Sequence, residues 1–242
     1  GDTDDIRMYF GIEHYIRRQQ YEKAEVLFNQ LEEIFEEKHL KDICPENKQY
    51  FLWIHTILER EIRGMSLEEN ESRLKEALHL TIPEYENVDF SSYPLRRKEM
   101  RLLNSLAAGY ASQEKYKECI KIWTKLEKNY LGKWICQGAQ YDEKNLIEIN
   151  NMSRIGSNGD YQLSNQKAYE IVRRLLEEGT VERMLRCCYN VAWNKEQELV
   201  KQNENVKKND LYQKKLMQAE VLARMLDDAF YVEFLRIYRQ QS

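Results

Sequence analysis

Glycine and proline are scarce in this chain of 242 residues, with 9 Gly and 3 Pro. That leaves little for the tight turns of a sheet protein, while Leu, Glu, Lys, Gln, Ala and Arg, all good helix formers, are plentiful. No run of 18 apolar residues occurs, and no basic segment leads into an apolar stretch as in an export signal. A cytoplasmic protein without a membrane span is expected. Positive charge is not in excess either, since 37 Lys and Arg against 41 Asp and Glu leave a net charge of −4. A surface that grips phosphates needs clustered cations, so direct DNA or RNA binding by this segment is disfavoured. The cysteines form no framework. Cys44, Cys119, Cys136, Cys187 and Cys188 are odd in number and irregular in spacing, which suits free thiols in a reducing compartment. The initiator Met is missing as well. Gly1 followed by Asp2-Thr3-Asp4-Asp5 is expected of an excised fragment whose natural chain extends N-terminally.

What is present is a repeat. Tyr15, Tyr21, Ala24, Phe28 and Leu31 are matched in spacing and kind by Tyr110, Tyr116, Cys119, Trp123 and Leu126. The order aromatic, turn, aromatic, small, large apolar is that of the tetratricopeptide (TPR) repeat. The small residue lets two helices approach, and the large one fills the gap to the next hairpin. The copies lie 95 residues apart, close to three repeats of about 34 residues each.

Between them, Tyr50, Trp53, Ile54, Ile57 and Leu58 recur at the spacing of an amphipathic helix. Arg63-Gly64-Met65 reads as a turn, with Ser66 as N-cap and Glu69 completing a capping box. The stretch from Thr81 to Pro94 reads as an inter-repeat loop. Two helices are expected at Leu146–Arg154 and Gln166–Leu176, separated by a turn over Ile155-Gly156-Ser157-Asn158-Gly159-Asp160. Val181–Leu199 and Leu211–Leu226 form a last hairpin around the polar stretch Lys201–Asp210. The apolar segment Ala229–Tyr238 either closes the array or buries itself in a second subunit. The expected fold is all-α: a single domain over 1–242, a right-handed superhelical solenoid of about five TPR-like hairpins plus a C-terminal helix. The hairpins fall at about 3–38, 46–80, 95–130, 141–178 and 181–226, and the terminal helix at 229–240.

Catalytic patterns are lacking. His14, His39, His55 and His79 make no HExxH and no ligand pair at helical spacing, and His39 with Cys44 is the nearest approach to a zinc set. There is no Gly-rich phosphate loop and no GxSxG. The 16 Tyr and 4 Trp suggest base stacking or hairpin core, and the acidic balance decides for core. A non-enzyme with no metal and no cofactor is expected.

Several short segments, taken in order, resemble a known group. Glu76-Ala77-Leu78-His79-Leu80-Thr81-Ile82-Pro83, Leu102-Leu103-Asn104-Ser105-Leu106-Ala107, Tyr189-Asn190-Val191-Ala192-Trp193 and Ala219–Leu226 are similar to bacterial regulators of Gram-positive species. These pair an N-terminal Xre-type helix-turn-helix with a C-terminal TPR-like domain. The resemblance covers residues 5 to 238 and implies homodimerisation, here through the C-terminal helices. It also implies control by a ligand, often a short peptide, and DNA binding through a helix-turn-helix outside these residues. None of the three follows from the periodicity itself.

The concave face of such a solenoid is lined by the first helix of each hairpin, so polar residues there are binding candidates. Asn104, Asn151 and Asn190 sit on three such helices, and an Asn amide can meet both N–H and C=O of an extended peptide or protein segment. The competing reading is local capping or bonding to a backbone carbonyl. Arg17, Arg101 and Arg154 either receive a peptide carboxylate in the groove or pair with the abundant Glu at the surface. Two rival functions remain open. One is a constitutive scaffold for another protein's helix or tail. The other is a TPR phosphatase of the response-regulator kind, for which Glu13, Gln19 and Gln20 are the only polar candidates.

Overall fold

The computed structural model describes residues 3–38, 44–131, 139–181 and 183–241. His39 and Cys136 lie outside these, as does the side chain of Arg17. The described residues form eleven α-helices and no strand: α1 (Thr3–Arg17), α2 (Tyr21–Glu37), α3 (Pro45–Arg63), α4 (Leu67–His79), α5 (Arg97–Ser112), α6 (Tyr116–Leu131), α7 (Ala139–Ser157), α8 (Tyr161–Glu177), α9 (Met184–Lys201), α10 (Asp210–Met225) and α11 (Ala229–Gln241). They fall into two compact units, Gly1–Lys115 and Tyr116–Ser242.

In the first unit α1 packs on α2, α3 on α4, and α4 on α5. The repeat residues Ala24, Phe28 and Leu31 are almost completely buried. Pro45 opens α3, where its missing N–H costs nothing. Gly64 ends that helix at φ 70°, a left-handed conformation that a side chain would strain. Ser66 Oγ then accepts from the Glu69 amide at 3.1 Å and starts α4, as the capping pattern predicts. The 81–94 connection is a loop with a short 3-10 turn at Tyr85–Asn87. Its Ile82, Tyr85 and Phe90 are buried, so apolar contact anchors the loop that the prolines break.

In the second unit α6 packs on α7, α7 on α8, α8 on α9, α9 on α10 and α10 on α11. Cys119, Trp123 and Leu126 of α6 are buried, completing the second copy of the repeat. One core joins Ile149, Met152, Ala168, Ile171, Leu175, Cys187 and Val191. Another joins Leu185, Ala192, Leu199, Tyr212, Leu216, Ala219, Ala223 and Leu235. Removing each large member from water is worth roughly 2 kcal/mol. The Cys187 thiol is buried, and that burial pushes its pKa up to about 12, so it behaves as a small apolar residue.

The turn expected over 155–160 is shorter than its composition suggests. Helix α7 continues through Ile155, Gly156 and Ser157, and α8 begins after Asp160, whose carboxylate accepts from the Leu163 amide at 3.1 Å. Gly156 is helical because of what crosses it. A Cβ there would overlap Asn194 Oδ1 and lie 3.0 Å from Ser164 Oγ. It is a close-packing glycine, and Gly159, at φ 97°, is the turn glycine.

Candidate groove on the second unit

The first helices of the hairpins in the second unit share a face. Their spacing brings Ser153, Arg154 and Ser157 of α7 together with Arg186, Tyr189, Asn190 and Trp193 of α9, and with Phe230, Tyr231 and Phe234 of α11. Tyr116 of α6 lines it as well. The groove holds about 410 Å³, within the range of small-molecule and peptide side-chain sites.

One wall is aromatic. Tyr189 meets Phe234 edge-on at 5.2 Å and Tyr238 at 5.5 Å, and Phe230 stacks on Phe234 at 6.4 Å. Tyr238 also hydrogen-bonds the Glu196 carboxylate, which ties α11 to α9. Trp193 is held by an edge contact with Tyr161 at 6.5 Å.

The other wall is polar, and its central amide has a set orientation. Ser164 Oγ donates to the Met152 carbonyl at 2.8 Å, which uses its only proton. Its oxygen can then only accept, and it does so from Asn190 Nδ2 and Asn194 Nδ2, each at 2.9 Å. Asn190 must therefore turn its NH₂ to Ser164, and its carbonyl oxygen takes no hydrogen bond from the described residues. That oxygen belongs to a residue that lines the groove.

Two guanidinium groups line the same groove. Among the described residues no carboxylate lines the groove, and neither Arg154 nor Arg186 is in an ion pair. Burial pushes the Arg186 guanidinium below its ordinary range; the Tyr231 hydroxyl opposes this and the like charge of Arg154 adds to it. Several arginines elsewhere are matched: Arg63 to Glu25, Arg73 to Glu69, Arg174 to Glu148.

The candidate residues named from sequence scatter. Asn190 and Arg154 meet in the groove. Asn151, one helical turn from Arg154, is fully buried and donates to Glu127 Oε1 at 2.9 Å and Thr124 Oγ1 at 3.2 Å. It ties α7 to α6 and has no surface to offer a ligand. Arg101 and Asn104 lie on α5 in the first unit. Arg101 forms a nearly buried ion pair with Glu13, so its charge is already matched. Asn104 is half-buried. Beside them Lys98 stacks over Tyr9 at 5.1 Å and Tyr50 at 4.8 Å.

Sequence reasoning misses Arg186 and the aromatics of α11 as site residues. A signal exists for Arg186, which precedes Asn190 by one helical turn and so shares its face. The α11 aromatics are legible as apolar, but their place opposite α9 depends on tertiary packing.

Two comparisons by sequence return nothing: no protein-family model matches the chain, and no curated protein matches it. Solved structures do. The crystal structure of Bacillus thuringiensis PlcR in complex with the peptide PapR7 and DNA is similar at a TM-score of 0.65 and 14% identity, over 97% of this chain and 75% of that one. A Podosopora anserina protein, described by its nearly identical TPR-like repeats, matches at 0.59 and 11% identity. That match covers 90% of this chain and 95% of that one. A point variant of the latter gives 0.60 and 11%, over 95% and 100%. At such identities the likeness establishes the fold, a TPR-like helical repeat, and nothing finer.

Proposed function

We propose that this TPR-like repeat chain is the ligand-sensing and dimerisation domain of a cytoplasmic bacterial helix-turn-helix regulator, and that its ligand is a short peptide. The observation that carries this reading is the groove of α7, α9 and α11, whose lining combines Asn190, its NH₂ held by Ser164, with several aromatic side chains. An extended peptide offers the Asn190 carbonyl a backbone N–H, and its apolar side chains find Tyr189, Trp193 and Phe234. PlcR, similar in fold, was solved with a peptide and DNA, which favours a regulator over a constitutive scaffold.

A ligand in this groove touches three helices at once. It therefore favours whichever arrangement of α7, α9 and α11 fits it best, and a dimer would transmit that preference to attached DNA-binding heads. A dimer contact is supported by the apolar stripe Met217, Val221 and Met225 on α10, exposed at 55%, 50% and 78%.

Two measurements test the reading. The regulator assignment predicts a helix-turn-helix encoded upstream of Gly1 in the same reading frame, and a frame with none contradicts it. The peptide assignment predicts that members of a pool of synthetic heptapeptides with free C-termini enrich on the protein and are lost on Asn190→Ala. Equal enrichment on both proteins would overturn it.

A further inference from the structure

Resting on the reading of this groove as the ligand site, we infer that its ligand carries a carboxylate beside an apolar or aromatic group, and that Arg154 and Arg186 clasp the carboxylate between them. The chain has 41 acidic residues, yet none of those described lines the groove. Two guanidinium groups that line one groove without a carboxylate, with the charge of Arg154 adding to what burial already costs the Arg186 cation, are unfavourable in the empty protein. Arg101, partly buried like them, avoids that state by pairing with Glu13. An anion bound between Arg154 and Arg186 removes the repulsion and supplies both forks with acceptors, in a setting drier than bulk water.

The surroundings choose among anions. Phe230, Tyr231, Phe234, Tyr189 and Trp193 line the same groove as the two guanidinium groups. A bare inorganic anion leaves that apolar surface wet, whereas the free C-terminus of a peptide ending in an apolar residue covers it. The Asn190 oxygen, one helical turn from Arg186, repels an anion and accepts an N–H. The carboxylate is thus assigned to the arginine end and the preceding amide to Asn190.

The test uses acetyl-Ala-Leu-Phe with a free carboxylate and the same tripeptide as its C-terminal amide, titrated into the protein by NMR, with inorganic phosphate as competitor. The acid is expected to shift resonances of α7, α9 and α11. Arg154→Gln and Arg186→Gln should each weaken it by about tenfold, the loss typical of one charge-assisted hydrogen bond, and leave the amide unchanged. Equal binding of acid and amide would overturn the carboxylate clasp and spare the peptide reading. Binding of phosphate alone, abolished by either substitution, would keep an anion site and overturn both the apolar carboxylate and the peptide. Silence from all three probes would overturn both. A ligand-free readout guards against misfolding: Arg186→Gln should melt no lower than the parent, because an unmatched charge is lost. A lower melting temperature would assign Arg186 a structural partner and sink the inference.

Discussion

Asn190 Nδ2 lies 2.9 Å from Ser164 Oγ, and this contact decides which end of the amide meets the groove. The serine is completely satisfied, donating to Met152 and accepting from Asn190 and Asn194.

Ser164→Ala removes the shared partner of two buried amides. Leaving such donors unmet costs about 1–3 kcal/mol, and Asn194 keeps one bond, to Asn165 at 2.8 Å. Urea unfolding should show a loss in that range. Peptide affinity should fall as well, because Asn190 is then free to turn over. Loss of stability with full affinity would show that the serine does not orient the amide.

Gly156→Ala separates two effects of opposite sign. Helix propensity favours Ala by about 1 kcal/mol, but the new Cβ meets Asn194 and Ser164, and overpacking a filled interior costs roughly 1–3 kcal/mol. The crossing of α9 should dominate, so the variant unfolds at lower denaturant. A stabilised variant would show that Asn194 and Ser164 yield to the methyl group and that the crossing does not require glycine.

Glu71 makes the first unit sensitive to acid. Burial raises its pKa, but hydrogen bonds from Lys75, Gln113 and Lys115 more than offset this and hold the carboxylate at about 2. A depressed carboxylate stabilises the fold above its unfolded value near 4.5, and that contribution fades as pH falls towards 2. Since Glu71 is only 17% exposed, its contribution is about 2 kcal/mol after allowance for screening. Parent and Glu71→Gln should differ by this amount at pH 7 and converge near pH 2. A constant gap across that range would mean that the charge is irrelevant.

The apolar stripe on α10 predicts the oligomer. Val221→Glu with Met225→Glu should convert a dimer to a monomer in light scattering while leaving the thermal midpoint within a few degrees, since exposed positions away from special features change stability little. Retention of the dimer would move the interface elsewhere.

How far the fold and the groove are legible in the sequence depends on side-chain volume. In α2 and α6 the close-approach position holds Ala24 and Cys119, and a large ring follows four residues on, so those repeats stand out. In α4 and α8 the same position holds Asn70 and Ser164, both buried. Ser164 is tolerated there because Met152, Asn190 and Asn194 satisfy it, while the Asn70 amide lies against Gly109, and a propensity pattern has no access to either set of neighbours. Gly156 reads as a turn residue for a related reason: Gly-Ser-Asn-Gly has turn chemistry, while the helix crossing that demands the first glycine involves Asn194, far along the chain. Asn190 and Arg154 are accessible from helical phase alone. Asn151 shares that phase closely enough to mislead, since its amide reaches into α6.

Hydrogen exchange by mass spectrometry, with and without a saturating pool of heptapeptides bearing free carboxylates, tests the central claim most directly. A peptide in the groove predicts slowed exchange in the segments around 153–157, 186–193 and 230–234 together, with the first unit unchanged. Protection confined to the first unit, or none in any segment with binding demonstrated independently, would contradict it.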